Sequence, residues 1–232
     1  MITRLLTLRC GLALATPFVL LTAIAISAQM DQQFAQAQQH NVMALRKYEW
    51  KSRTEIQKDG ETKKVQLALV RYDSDGNLQK TVISSTPEPD IPKFGIRRAV
   101  AKKKIGDFRD TLAELEALAK SYSELPPDRM QRFMATATIT PELTAQQKLV
   151  RIAGRAVLQS GDSMTVFVDA SSRKQRRIEI QTWLDQKPVR IVSEFQDLAQ
   201  GGPTYVARSS MSYDGNSIGI ITENFDYARV AR

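Results

Sequence analysis

The residues able to do covalent or metal chemistry are few, and their spacing assigns them little. His40 is the single histidine and Cys10 the single cysteine of 232 residues. A Ser-His-Asp relay needs a histidine with a carboxylate and a hydroxyl in reach, and a zinc site needs three or four His, Cys or carboxylate ligands. His40 lies in a Gln-rich stretch with neither motif beside it, so it reads as a surface residue. Asp73-Ser74-Asp75-Gly76-Asn77 has the composition of a calcium loop, but that loop requires Gly at its sixth position and Glu at its twelfth. Here Gly76 falls fourth and Ser84 twelfth, which leaves a turn. Gly161-Asp162-Ser163-Met164 lacks the second glycine of a nucleophile elbow, and its flanks read as strand and strand. No glycine-rich phosphate loop is present. The pairs Asp107/Asp110 and Glu114/Glu116 sit on a helix surface, where solvated charge is a simpler reading than acid–base catalysis. The sequence therefore predicts no enzyme: no catalytic residue, metal site or cofactor.

Charge offers the next chemistry. The formal net charge is +8, from 33 basic and 25 acidic residues. Arg97, Arg98, Lys102, Lys103 and Lys104 form the densest basic run, and Arg173, Lys174, Arg176 and Arg177 a second. Such runs suit nucleic acid, anionic lipid or an acidic protein, and a solvated helix start and a solvated turn are the plainer alternatives. The N-terminus argues against nucleic acid. Arg4 and Arg9 precede the apolar stretch Gly11 to Ala25, and Ala-Ile-Ser-Ala ends at Ala28 with the small residues a signal peptidase requires. This predicts export to the periplasm with cleavage after Ala28, leaving 31 basic against 25 acidic residues. An uncleaved anchor is the alternative, since roughly 18 apolar residues reach the lower limit of a membrane span. Cys10 would leave with the leader, so the mature chain carries no thiol for a disulfide or a cysteine site.

These residues must be positioned by two kinds of element. Gln29 to Leu45 reads as an N-terminal helix, with Met30, Phe34, Ala37, Asn41 and Ala44 on one side, and a poorly ordered tail is the alternative. From Tyr48 the period changes to two: Tyr48, Trp50, Thr54 and Ile56 alternate with charges, Asp59-Gly60 signals a hairpin, and a strand through Val65, Leu67 and Leu69 follows. Ala68, Val70 and Tyr72 make the end of that strand apolar on both faces, so it is expected to be covered twice. A third strand runs from Leu78 to Ser84. Thr86 to Pro92 is too proline-rich for helix or strand. Between Ile96 and Ala135, Ile105, Phe108, Leu112, Leu115, Ala119 and Tyr122 recur every three to four residues, which makes one helical stripe. Pro126 and Pro127 stop that helix, and Asp128 to Met134 forms a second with Pro127 in its first turn. Strands resume at Lys148 to Leu158, with Gly154 read as a bulge or bend. They continue through Met164 to Val168, Ile178 to Leu184, Val189 to Phe195, Tyr205 to Tyr213 and Ile218 to Tyr227. Eight or nine hairpin-linked strands predict an antiparallel meander.

The fold class this predicts is α+β: a curved antiparallel sheet with an N-terminal helix and a helical lid inserted between two strand blocks. The signal peptide is residues 1–28, and 29–232 form a single domain. Trp50, Leu67, Leu69 and Trp183 are expected on the apolar face of the sheet, with Phe108, Leu112, Leu115, Met130, Phe133 and Met134 closing over it. Met164 belongs to the same apolar set, and methionines suit adaptable contacts. Ordinary core is the alternative for all of them.

The segments Tyr48 to Glu55, Val70 to Gly76, Gly161 to Met164 and Glu223 to Tyr227, in this element order, resemble the periplasmic lipoprotein-carrier superfamily. That superfamily includes the lipoprotein-sorting carrier, its outer-membrane acceptor and the sensor module that regulates an anti-sigma factor; the similarity is to an exported bacterial branch of it and spans most of residues 29–232. The resemblance implies an incomplete barrel that binds lipid or lipoprotein acyl chains on its concave face beneath a helical lid. It carries no functional residue over to a position here. It also leaves an envelope protein-interaction or sensing module on the same scaffold as the other reading. The partners to expect are an acyl chain or an envelope protein, with peripheral contact to an anionic membrane surface.

Overall fold

The computed structural model describes residues 36–37, 39–87, 96–143 and 148–230. The chain divides into two units, Met1–Gln38 and Gln39–Arg232. Only residues 36 and 37 of the first are described, so the leader and the first part of the expected N-terminal helix lie outside the described residues. Residues 39–45 are helical.

The second unit contains ten antiparallel strands: β1 (Tyr48–Lys58), β2 (Glu61–Tyr72), β3 (Leu78–Ser85), β4 (Thr138–Leu143), β5 (Lys148–Arg155), β6 (Ser163–Asp169), β7 (Gln175–Leu184), β8 (Lys187–Asp197), β9 (Thr204–Tyr213) and β10 (Ile218–Arg229). Two helices, α1 (Ile96–Ser123) and α2 (Pro127–Thr136), separate β3 from β4. All ten strands form one sheet in the order β3-β2-β1-β10-β9-β8-β7-β6-β5-β4. The sheet is curved and open, and β3 and β4 are its edges. The expected half-barrel with a helical insertion is thus what the chain forms.

Local chemistry explains the turns. Asp59 and Gly60 both take positive φ, 54° and 79°, the backbone a two-residue hairpin requires. Asp73 Oδ1 accepts from the backbone N–H groups of Asp75 at 3.0 Å and Asn77 at 2.8 Å, which confirms that segment as a turn. Two sequence expectations need correction. Thr138 to Leu143 is a tenth strand that its proline concealed, and Pro141 is tolerated there because β4 is an edge. Gly154 is not a bulge: β5 pairs with β6 in unbroken register from Leu149 to Arg155. Its role is close approach, since a Cβ at 154 would lie 2.8 Å from the Phe133 ring of α2.

One face of the sheet belongs to the helices. Tyr122 of α1 reaches Thr182 of β7, Phe108 of α1 lies under the Lys58 ammonium at the end of β1, and Phe133 of α2 packs on Gly154 of β5. Register unites these contacts, because Thr182, Val189, Tyr213, Ile218 and Lys58 are successive cross-strand partners in a single row. The helix geometry agrees. From Phe108 to Tyr122 α1 rises about 21 Å at about 1.5 Å per residue, and the four strand spacings from β1 to β7 span about 19 Å. Helix α1 therefore runs across the strands along one rim of the sheet, and α2 continues the crossing to β5.

The opposite face is a charge ladder. Arg53, Glu223, Arg208, Glu194 and Arg177 are successive partners on β1, β10, β9, β8 and β7, alternating in sign along one row. Arg208 lies 3.1 Å from Glu223, and Arg53 and Arg177 lie 3.8 Å from Glu223 and Glu194. Exposed pairs of this kind contribute little each, about 0–1 kcal/mol, but they fix which face meets water.

Candidate functional site

The helix-facing side of the sheet is a trough with a graded floor. Its α1 rim is the row of Thr182, Val189, Tyr213 and Ile218, all buried. One step in, Ile180 and Ile191 are buried, whereas Met211, Ile220 and Ile56 are partly exposed. These five are again one cross-strand row. The next row is polar: Thr54, Thr222, Ser209 and Ser193, each half-buried. Thr54 Oγ1 lies 3.3 Å from Thr222 Oγ1, and Ser193 Oγ lies 3.1 Å from Ser209 Oγ. Beyond it, Asn224 Nδ2 donates to the Val206 carbonyl at 2.9 Å.

The far rim is aromatic. The Trp50 and Tyr227 rings stack at 5.2 Å and 13°, Tyr72 lies 5.8 Å from Trp50, and Tyr205 lies 4.3 Å from Tyr227. A bulge in the β1–β10 pairing sets this cluster: Trp50 has no direct partner on β10 where register shifts between Glu49 and Lys51. Burial, then the neighbouring Tyr205 and Tyr72, pushes the Tyr227 phenol up. Burial also raises Tyr72, against the pull of Arg46. Both phenols stay neutral and keep their O–H donors at physiological pH. The helical residues 39–45 close this end. Asn41 Nδ2 donates to the Thr204 carbonyl and Asn41 Oδ1 accepts from the Thr204 N–H, both at 2.7 Å.

The cover is fixed at one end. Leu115 and Tyr122 of α1 are 0% and 5% exposed, while residues 96–100 are all exposed and Ile105, Phe108 and Leu112 are half-buried. A buried polar cluster makes the fixed end. Asp162, 0% exposed, accepts from the N–H groups of Val157 at 2.6 Å, Leu158 at 2.9 Å and Gln159 at 3.0 Å. Tyr122 Oη lies 2.5 Å from Asp162 Oδ2 and 2.8 Å from Thr182 Oγ1. A carboxylate only accepts, so the single phenol hydrogen goes to Asp162 and the Thr182 hydroxyl donates to Tyr122. Gln159 Nε2 donates in turn to Thr182 Oγ1. Burial would raise the Asp162 carboxyl, but the Tyr122 hydroxyl and the three backbone donors hold it below its ordinary value. Burial, followed by the hydrogen bond to Asp162, pushes the Tyr122 phenol up.

The expected lining residues divide between the two faces. Trp50, Phe108, Leu112, Leu115 and Phe133 lie at the trough or in its cover, and Met130 and Met134 are half-buried on α2. Leu67 and Leu69 do not join them. They pair with Arg53 and Lys51 and so share the charge-ladder face, while Ala68 and Val70, at 3% and 2% exposure, face the trough. Trp183 is likewise on the outer side, 41% exposed next to buried Thr182, with its indole against Gly161. Ile56, Met211 and Ile220, with the four hydroxyls, are the floor that sequence reasoning passed over. Their alternation was visible in each strand, but their meeting in rows depends on register.

Basic groups also divide. Lys174 and Arg176 pair with Asp197 at 3.2 and 3.0 Å, and Arg177 pairs with Glu179 at 2.8 Å, so the second basic run is largely neutralised. Lys102, Lys103 and Lys104 on α1 are exposed. Among the described residues no group of three or more His, Cys, Asp or Glu side chains could hold a metal, and no helix is long and apolar enough to cross a membrane.

No family model and no curated protein matches this chain. Two solved structures are similar in arrangement: a LolA superfamily protein from Nitrosomonas europaea and a DUF1329 family protein from Desulfovibrio piger. The first has a TM-score of 0.40 at 7% identity, covering 84% of this chain and 94% of its own. The second has a TM-score of 0.38 at 8% identity, covering 88% and 90%.

Proposed function

We propose that residues 39–232 bind an acyl lipid in the trough, as an exported carrier or reservoir in the periplasm, with α1 as a cover hinged at its C-terminal end. The supporting observation is the gradient of burial. Ile56, Met211 and Ile220 are apolar floor residues left partly exposed on the face that α1 crosses, and α1 itself is buried at Leu115 and Tyr122 only. An acyl chain laid along that floor removes apolar surface from water at about 25 cal/mol per Å². Lifting the first half of α1 exposes few buried side chains, so the ligand's own burial offsets the opening. The cover also carries its docking chemistry: Ile96 and Val100, 84% and 48% exposed, lie one helical turn apart beside Lys103 and Lys104. That face suits an anionic bilayer, where apolar and cationic side chains enter the interface together.

Native mass spectrometry of gently purified protein tests the reading, and copurified lipid is the expected result. A reducible bis-maleimide tether between Cys residues replacing Lys58 and Phe108 should block uptake of a fluorescent acyl probe until it is reduced. Equal uptake by tethered and reduced protein would mean that the cover does not gate the site.

One observation favours the second reading, a protein-interaction module. Edge strand β3 is exposed along its whole length and carries Leu78, Val82 and Ile83 at 54%, 53% and 53% exposure. An unpaired edge of that kind accepts an added strand. A stoichiometric protein partner with no bound lipid would select it.

A further inference from the structure

The polar row in the trough has chemistry that an apolar site leaves unused. Thr54, Thr222, Ser209 and Ser193 stand on four adjacent strands, bonded in two pairs. A hydroxyl has one donor hydrogen and two acceptor positions. Each pair consumes one hydrogen in its mutual bond and keeps a second for a third partner. All four side chains are half-buried, and the apolar row of Ile56, Ile220 and Met211 runs directly alongside. The row itself contains no charge: its neighbours at either end are Gln66 on β2 and Ile178 on β7. A carboxylate seated there would lose water without gaining a cation, and an alkane would leave the donors without an acceptor.

We infer that this row receives the neutral carbonyl oxygens of an acyl ester, with the hydrocarbon lying along the isoleucine and methionine row. The inference rests on the trough being an acyl-lipid site, and it adds the chemical class: ester before free fatty acid and before hydrocarbon. Each carbonyl oxygen accepts one of the spare hydroxyl hydrogens, and no bond is made or broken.

The test compares three fluorescent long-chain probes of equal length at pH 8: the methyl ester, the free carboxylate and the alkyl methyl thioether, whose sulfur is only a weak acceptor. Purified full-length protein should bind the ester about tenfold more tightly than the thioether, the scale of one or two neutral hydrogen bonds, and more tightly than the carboxylate. A variant combining Thr54→Val, Thr222→Val, Ser193→Ala and Ser209→Ala removes both partners of each pair, so no orphaned hydroxyl remains. It should lose the preference for ester over thioether. Equal ester and thioether binding by the parent, or an ester preference that survives in the variant, overturns the assignment and leaves the acyl-lipid site standing. Failure of the parent to bind any probe overturns both. Should the variant not fold, by circular dichroism, the parent's ratio of ester to thioether affinity decides alone.

Discussion

Replacing Tyr122 by Phe tests whether α1 is pinned at its C-terminal end. The substitution removes the phenol hydrogen that Asp162 accepts at 2.5 Å and the oxygen 2.8 Å from the Thr182 hydroxyl, with little change of shape. Asp162 keeps its three backbone donors, so the carboxylate is weakened but not abandoned. A hydrogen bond to a charged acceptor contributes about 1.5–3 kcal/mol, and in a unit of this size each kcal/mol moves Tm by about 2–4 °C. The expected fall is therefore about 3–12 °C at pH 7. The pH dependence carries the sign. The folded-state phenol pKa is raised, so its contribution is complete below the ordinary tyrosine value of about 10 and is lost as pH rises through the folded value. The Asp162 pKa is depressed, so its contribution is present above about 4 and is lost as pH falls through the folded value. The gap between parent and variant should be flat from about pH 5 to 9 and narrow on either side. Urea melts across pH measure it, and hydrogen exchange should show residues 115–123 opening sooner while β6 to β8 keep their protection. A Tm change under about 1 °C, or a gap that widens above pH 10, would refute the pin.

Two further outcomes follow from the same geometry. Gly154→Ala forces a Cβ to 2.8 Å from the Phe133 ring and should destabilise the protein by about 1–3 kcal/mol, with the added Phe133→Ala restoring space but not the lost burial; equal melts for parent and Gly154→Ala would show that α2 does not seat there. Charge reversal of Lys102, Lys103 and Lys104 to Glu should abolish cosedimentation with phosphatidylglycerol vesicles at low salt, whereas neutral phosphatidylcholine vesicles should bind neither protein; undiminished sedimentation of the variant would remove the basic start of α1 from membrane contact.

Much of the fold was legible because each strand announced itself locally. Tyr48 to Ile56 alternates, Asp59-Gly60 supplies positive φ, and the stripe from Ile105 to Tyr122 has no period but the helical one. What failed were choices that only register makes. Strand β2 is apolar on both sides, so nothing in its own residues shows that Ala68 and Val70 face the trough while Leu67 and Leu69 meet Arg53 and Lys51. Trp183 misled in the same way, because a large aromatic suggests core while its neighbour Thr182 holds the inward position. The burial of Asp162 was invisible in Ser160-Gly161-Asp162, which has the composition of any solvated turn; the residue that buries it, Tyr122, is forty positions away in sequence. The hydroxyl row could not be read at all before four strands were aligned.

The topology itself decides which end of the helical insertion is tied down. Strands β1 and β10 pair in the interior of the order, so each half of the meander runs outward and the two edges, β3 and β4, are joined in sequence only through the helical insertion. The insertion must therefore carry the chain from one edge to the other, and it does so across one face of the sheet. On the β4 side the return is tight: α2 ends at Thr136 and β4 begins at Thr138, with Phe133 seated on Gly154 of the adjoining strand. That end cannot lift without unseating Phe133 and breaking the Tyr122–Asp162 cluster. Toward β3 the burial falls away through Leu112, Phe108 and Ile105 to the fully exposed turn at residues 96–100. In the proposed carrier, a cover built this way would open like a hinge whose axis lies over β5 to β7 and whose free edge lies toward β1 to β3. The partly exposed Ile56, Ile220 and Met211 and the hydroxyls of Thr54 and Thr222 lie toward that free edge, where an acyl chain entering the proposed site would meet them first.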